Sequence, residues 1–459
     1  MKKSIFIFLT VMILASNTKG AETMITGKVN GGKGLTVRLM TYSDHISYLR
    51  HTLAYCVVDE MDSFRLTADL TETIYGWLDI EFNQGDIYLQ PGQRYEVHIT
   101  YDPRALSASY YDRPSLSISF INDDLDRLNL FLRDFNGIYN DFLLNYASGR
   151  NSQTNANAFQ AFKTAIDLRF KNAPNSYFKS YVSYKTAAME MFLRLKSRDK
   201  VGLEYLAGEP LLLNNIEYME FFQLYFEKYF LTGNNYFNYN KTYDLINGKA
   251  SLDSILDSLK IDPVLQGEEI RELLLLSGLK ELYGIAGFDR PRILGLVDEL
   301  ARAGSSTGIM EIAGNLLIRF NRLKPGTPAP DFTLPAPGQK KVFNLSEFKG
   351  SFVYLAFFDS RNPASQAEMG LVSEWHEEVA DKVRFVAISV DKDPAVIFGN
   401  PNISPEVWTI LHYNGNLEVL ESYDALAVPY FILIDGQGLI KSCPALSPSE
   451  NILEILNAI

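Results

Sequence analysis

The chain has 459 residues, 47% of them hydrophobic and 13% aromatic. That is room for two or three domains with filled cores, and it excludes a disordered polymer. The formal net charge of −12 excludes nucleic acid as the expected partner, because phosphate binding draws on basic clusters and none stands out.

Residues 1–21 read as a signal peptide. Lys2 and Lys3 precede an apolar run from Ile5 to Ala15, and the small residues Gly20 and Ala21 follow. The run is too short to span a bilayer as a helix, and no other stretch approaches the needed length. The expectation is a soluble, exported chain without a transmembrane segment, located in the periplasm or cell envelope. With no cysteine near the cleavage region, it is not expected to be a lipoprotein.

Residues 22–105 are expected to form a β-sandwich domain. Short segments rich in β-branched and aromatic residues recur: Thr36 to Leu39, Ala54 to Val58, Ser63 to Leu66, Tyr75 to Ile80, Ile87 to Leu89 and Tyr95 to Ile99. Gly31-Gly32, Asn83-Gln84-Gly85 and Pro91-Gly92 read as the turns between them, and the spacing predicts antiparallel packing. His45, His51 and His98 fall in this region without ligand spacing, so no metal site is expected.

Residues 120–323 are expected to be α-helical. Leu125, Leu128, Leu132, Phe135, Tyr139 and Phe142 recur at three and four residues, one face of a helix. Further helices are predicted over Glu217 to Leu231 and Glu268 to Leu282. Breaks are predicted at Asn172-Ala173-Pro174-Asn175, Gly233-Asn234-Asn235 and Asp289-Arg290-Pro291. The stripe Tyr218, Phe221, Phe222, Tyr225, Phe226 and Tyr229 reads as packing core rather than a ligand groove. The Asn-rich aromatic segment from Asn234 to Asn240 suggests an exposed binding loop. Lys324 to Pro330, broken by proline and glycine, reads as a linker into the last domain, residues 324–459.

That last segment carries a family resemblance. Gly326-Thr327-Pro328-Ala329-Pro330-Asp331-Phe332, Asn344-Leu345-Ser346-Glu347-Phe348-Lys349-Gly350, the apolar strand Val353 to Phe358, Ser389-Val390-Asp391, and Val428-Pro429 before Phe431-Ile432-Leu433-Ile434-Asp435-Gly436 follow in order. Together they resemble exported thioredoxin-like proteins of the TlpA-type redoxin superfamily, in which a small β-domain of unknown function often precedes the thioredoxin-like domain. The resemblance implies a C-terminal α/β thioredoxin-like fold, so the expected chain is multidomain: an N-terminal β-sandwich, a central α-helical region and this fold. It also implies a cis-proline at Pro429, and an active-site segment of the form Phe-Trp-Ala-Ser-Trp-Cys-x-x-Cys-Arg-Ala-Glu-Met.

On that segment Phe357, Ser360, Ala367, Glu368 and Met369 match, but the two cysteine positions fall on Asn362 and Ser365. Ala356 and Arg361 replace an acid and a tryptophan. Dithiol exchange needs a thiolate at the helix start and a second thiol three residues on; Asn362 has no ionisable group and the Ser365 hydroxyl stays protonated. No catalytic residue is therefore expected here. Asn362 and Pro363 instead suit a helix N-cap and first helical position. As a nucleophile Ser365 would need a base. His376 is about 16 Å away along a shared helix, and His412 could approach only through a tertiary contact.

The expected function is a redox-inactive binding or structural role in the cell envelope, without cofactor. The groove of Arg361, Asn362, Pro363, Val428 and Pro429 would contact a protein or extended peptide segment, since the resemblance implies backbone pairing beside the cis-proline. The alternative is a thiol–disulfide oxidoreductase acting through Cys443. A third reading is a glycan- or envelope-binding protein acting through the β-domain. Cys56 and Cys443 are the two cysteines; each reads as a small buried apolar residue, and a bridge between them stays open.

Overall fold

The structure is a computed structural model and describes residues 20–80, 83–101, 115–121, 127–147, 152–173, 175–232, 234–391, 393–400, 402–425 and 427–459. The apolar run of the expected signal peptide, together with Leu125, Pro174 and Gly233, lies outside them. No helix among the described residues is long and apolar enough to cross a membrane.

The N-terminal strands are β1 (Ala21–Val29), β2 (Thr36–Tyr42), β3 (Arg50–Val57), β4 (Ser63–Leu70), β5 (Ile74–Ile80), β6 (Asn83–Leu89), β7 (Arg94–Thr100) and β8 (Ser117–Phe120). They form two sheets, ordered β4-β1-β7-β8 and β3-β2-β5-β6. Ile25, Val29, Leu66 and Val97 from the first meet Val37, Leu39, Leu78 and Ile87 from the second in one core. Pairing is antiparallel except that β1 runs parallel to β7, a departure from the expected wholly antiparallel sandwich. Sequence pattern missed β1 because Thr, Lys and Gly interrupt its alternation. Gly27 sits where a Cβ would approach the Val97 carbonyl oxygen to 2.4 Å, so close strand approach decides that residue. Asn83-Gln84-Gly85, expected as a turn, opens β6 instead. A Cβ on Gly85 would lie 2.8 Å from Ile118 Cδ1 and 2.9 Å from Leu116 Cβ, so this glycine serves packing against the later strand, which extends the first sheet beyond residue 105.

Helices follow: α1 (Arg127–Ala147), α2 (Ser152–Arg169), α3 (Ser176–Phe192), α4 (Arg198–Tyr205), α5 (Ile216–Tyr225), α6 (Tyr239–Asn247), α7 (Leu252–Leu259), α8 (Glu268–Tyr283), α9 (Arg290–Ala303) and α10 (Thr307–Arg322). Side-chain N-caps from Asn175, Asn215, Asn238, Ser251, Asp289 and Ser306 start six of them. The aromatic stripe from Tyr218 to Tyr229 is buried in the helical core, as expected from its spacing. The helix expected to reach Leu231 ends at Tyr225, after which turns carry Phe226, Tyr229 and Phe230 into the same core. The segment from Asn234 to Asn240 is not a free loop. The Asn234 side chain accepts from the Tyr236 and Phe237 amides, each at 2.7 Å, and Phe237 is fully buried.

The second sheet is covered on part of its outer face as well as on its core face, while its edge strand β3 stays largely exposed. Its outer face carries Met40 opposite Trp77 and Tyr75 opposite Tyr88. It also carries Arg38 opposite Asp79, 3.5 Å apart. The helices cover it: Tyr88 packs on Tyr177 and Tyr181 of α3, and Asn129 of α1 clamps the Tyr88 backbone with bonds of 2.9 and 2.8 Å. Residues 43–49, between β2 and β3, drive further in. Ile46 is fully buried within the helical core. Asp44 accepts from the Ile46 amide at 2.7 Å and from Asn315 of α10 at 2.9 Å, and Gln223 of α5 donates to the Tyr48 hydroxyl at 2.8 Å.

The C-terminal segment contains β9 (Thr333–Pro335), β10 (Val342–Asn344), β11 (Phe352–Phe358), α11 (Pro363–Trp375), β12 (Val383–Ser389), β13 (Thr409–His412), α12 (Leu417–Ser422), β14 (Tyr430–Ile434), β15 (Ile440–Ser442) and α13 (Ile452–Asn457). The sheet order is β13-β12-β11-β14-β15. The first three strands are parallel, while β14 and β15 are antiparallel. Separate cores fill its two faces, giving the expected thioredoxin-like layering. The linker is docked rather than free: the Gly326 amide donates to the Ile440 carbonyl at 2.7 Å and the Ala329 amide to that of Gly438 at 2.9 Å. Arg50 of β3 pairs with Glu421, and Arg319 of α10 lies 3.2 Å from Asp424, so α12 is held against both preceding parts.

His45 in the inserted loop is buried, with Nδ1 unpartnered. Burial depresses its pKa from 6.5 to about 4, against a smaller raising effect of Asp44. Since the folded value lies below the unfolded one, the unfolded chain binds more protons in between. The stability due to neutral His45 is therefore full above about pH 6.5 and lost as pH falls towards 4, about 3 kcal/mol in all. Denaturant midpoints across this window should fall with pH, and His45→Gln should flatten that slope.

Candidate functional site

β11 is apolar throughout and buried along nearly its whole length, the pattern of a strand covered on both faces. It delivers the chain to the start of α11 through residues 359–362. Asp391, just past the end of β12 and 1% exposed, organises this loop. Its carboxylate accepts from the Ser360 amide at 3.1 and 3.2 Å, the Ser360 hydroxyl at 2.7 Å and the Ser389 hydroxyl at 2.6 Å. The Ser360 carbonyl accepts from Gln366 at 2.8 Å and Asn400 at 2.9 Å. The Asp359 side chain accepts from the Arg361 amide at 2.8 Å. A buried carboxylate is stabilised by donors of this kind.

Asn362 has extended backbone angles, and its side chain accepts from the Ala364 and Ser365 amides at 2.8 and 3.1 Å. Pro363 takes the first helical position. These bonds satisfy amides that a helix start leaves open. Arg361 is exposed. The Val428–Pro429 peptide is cis. Because Tyr430 pairs with Phe357, Val428-Pro429 and the 359–363 loop both lie at the C-terminal end of β11. Val428 is half-buried against the sheet core.

Ser365 is fully buried, and its hydroxyl accepts from the Asp359 amide at 3.4 Å. His376 is bonded locally to the Ser373 carbonyl. His412 is buried: Nδ1 accepts from the Asn414 amide at 3.1 Å, so Nε2 carries the proton donated to the Asp391 carbonyl at 2.7 Å. Burial holds the His412 pKa below its ordinary value, with opposing contributions from Asp391 and Asp393. Neither histidine is hydrogen-bonded to Ser365, and a buried hydroxyl is no nucleophile for an external substrate.

Cys56 and Cys443 are both free. Cys443 is placed closer to the candidate groove than its position in sequence suggested. Its Sγ lies 3.3 Å from the Tyr430 hydroxyl, next in sequence to Pro429. Burial pushes the Cys443 thiol up, opposed by its bond to Tyr430, which is the reverse of thiolate activation. Burial likewise raises Cys56. Among the described residues, no group of three or more His, Cys, Asp or Glu side chains is arranged to hold a metal ion. Asp391 and its partners were not singled out from sequence as a site. The available signal was three polar residues, Ser360, Ser389 and Asp391, at the ends of adjacent apolar strands.

Residues 325–443 match the family model described as AhpC/TSA family. No curated protein matches the chain. Among solved structures, a thioredoxin-like protein from Bacteroides caccae is 16% identical, covering 48% of this chain and 81% of its own, with a TM-score of 0.36. The thioredoxin domain of a thiol-disulfide oxidoreductase from Bacteroides vulgatus is 22% identical, covering 29% of this chain and 97% of its own, with a TM-score of 0.26. A thiol:disulfide interchange protein from Bacteroides sp. is 21% identical, covering 30% and 93%, with a TM-score of 0.27. The family match and the strand order agree on one statement: the C-terminal part of this chain has a thioredoxin-like fold and is similar to the AhpC/TSA family over residues 325–443.

Proposed function

We propose that the chain is an exported, redox-inactive thioredoxin-like protein that binds an extended peptide segment of a protein partner in the cell envelope. The contact surface is the groove of Arg361, Asn362, Pro363, Val428 and Pro429. One observation carries the reading: the start of α11 is closed by the Asn362 cap, and buried Ser365 stands where a second thiol would be needed. A capped amide-bearing helix start offers no electron pair for disulfide attack. Fixed loop geometry and an extended chain beside Pro429 remain suited to backbone pairing with a peptide.

The oxidoreductase alternative draws on the position of Cys443 beside Tyr430. Its raised thiol pKa favours the first reading, because attack requires thiolate. The full chain is expected to give no dithiothreitol-driven reduction of insulin above a no-protein control. Turnover that Cys443→Ala abolishes would transfer the function to that thiol.

The cap gives a separate test. Asn362→Ala should cost about 1 kcal/mol of local stability, seen as faster hydrogen exchange of the Ala364 and Ser365 amides. Asn362→Asp keeps the acceptor and adds negative charge at the positive end of the helix dipole, so exchange should be unchanged or slower. Equal protection in the alanine variant would remove the cap from the argument.

A further inference from the structure

Away from the thioredoxin-like domain, the outer face of the second sheet, β8 and helices α1, α3 and α5 line an open cavity of about 510 Å³. That volume falls within the roughly 300–1,000 Å³ of small-molecule sites. Tyr75 and Tyr88 form part of one wall, half-buried, with ring centroids 5.5 Å apart. The polar lining comes from facing elements: Asp86 from β6, Arg133 from α1, Lys185 from α3, and Glu217 and Glu220 from α5.

The charges select the ligand. Lys185 is ion-paired with buried Glu217, so that pair is internally neutral. Asp86 accepts from the Tyr75 hydroxyl at 2.9 Å. Among the described residues neither Asp86 nor Glu220 has a cationic partner in contact, and Arg133 has no ion pair. An anion would meet the two open carboxylates, and a cation would meet Arg133. A hydrocarbon would strip water from five charged side chains without replacing their hydrogen bonds. What fits is an uncharged molecule that both donates and accepts hydrogen bonds and has a flat C–H face for an aromatic ring.

We infer that this cavity binds a neutral saccharide unit, stacked on Tyr75 and Tyr88, with its hydroxyls donating to Asp86 and Glu220 and accepting from Arg133. Crowding by protein raises the pKa of Asp86, opposed by the Tyr75 bond. It also raises that of Glu220, with repulsion from Glu217 adding to it and attraction from Lys185 opposing it. Hydroxyl donors would relieve that cost without bringing in charge. The site is independent of the peptide groove, and neither reading depends on the other.

Isothermal titration of the full chain with maltotriose, cellotriose, xylotriose, mannotriose and chitotriose provides the test. At least one should bind, and Asp86→Ala and Glu220→Ala should each weaken it at least tenfold. Both side chains reach solvent, and among the described residues Glu220 makes no hydrogen bond, so both variants should remain folded, with Asp86→Ala losing one bond from Tyr75. Three results would overturn the inference: none of the five sugars binds, affinity is unchanged in both variants, or the diamine cadaverine binds where the sugars do not.

Discussion

The burial of Ile46 in the helical core fixes how this molecule is put together. A β-sandwich normally leaves the outer faces of its sheets wet. Here the outer face of the second sheet carries Met40, Trp77, Tyr75 and Tyr88, and residues 43–49 project beyond it to bury Ile46 among helices. A fully buried isoleucine contributes about 1.5–3 kcal/mol. The Asp44 and Tyr48 bonds to α10 and α5 add direction to that contact. The helical region is therefore a cover that completes the sheet, not a spacer between two independent domains.

The same logic positions the C-terminal domain. Arg50 comes from the end of the inserted loop and Arg319 from the helix that holds the loop in place. They reach Glu421 and Asp424 respectively, around the end of α12. Ion pairs at partly exposed surfaces contribute little each. Their value here is geometric, since they fix which face of the thioredoxin-like domain meets the rest. Arg319 also bonds the Ser47 carbonyl, so one side chain ties the inserted loop to the last domain.

At the end of β11, hydrogen-bonding groups set the geometry of the loop. Reactive thiols at a helix start need open amides and positive potential around a thiolate. Asn362 occupies two of those amides itself, and Ser365 turns inward to the Asp359 amide. Asp391 then holds Ser360 through backbone and hydroxyl together. The resulting loop is over-determined in position.

Local sequence determined much of this protein because local physics suffices for it. Alternating apolar residues set strands β2 to β7, period-3.6 aromatics set the buried stripe on α5, and Asn362-Pro363 set the start of α11. The ordered motifs of the last segment identified its fold. Sequence could not give what depends on approach between distant segments. Gly85 reads as a turn residue until Ile118 is packed against it. The segment from Asn234 to Asn240 reads as exposed until Phe237 is buried. Lys324 to Pro330 reads as a free linker until it pairs with Gly438 and Ile440. The placement of Cys443 beside Tyr430 joins residues 13 positions apart, the Asp391 network joins residues 31 apart, and the cavity between sheet and helices joins residues as distant as Tyr75 and Glu220. Their meaning comes from burial and hydrogen bonding that exist only after the chain has closed on itself, so tertiary structure alone decided them.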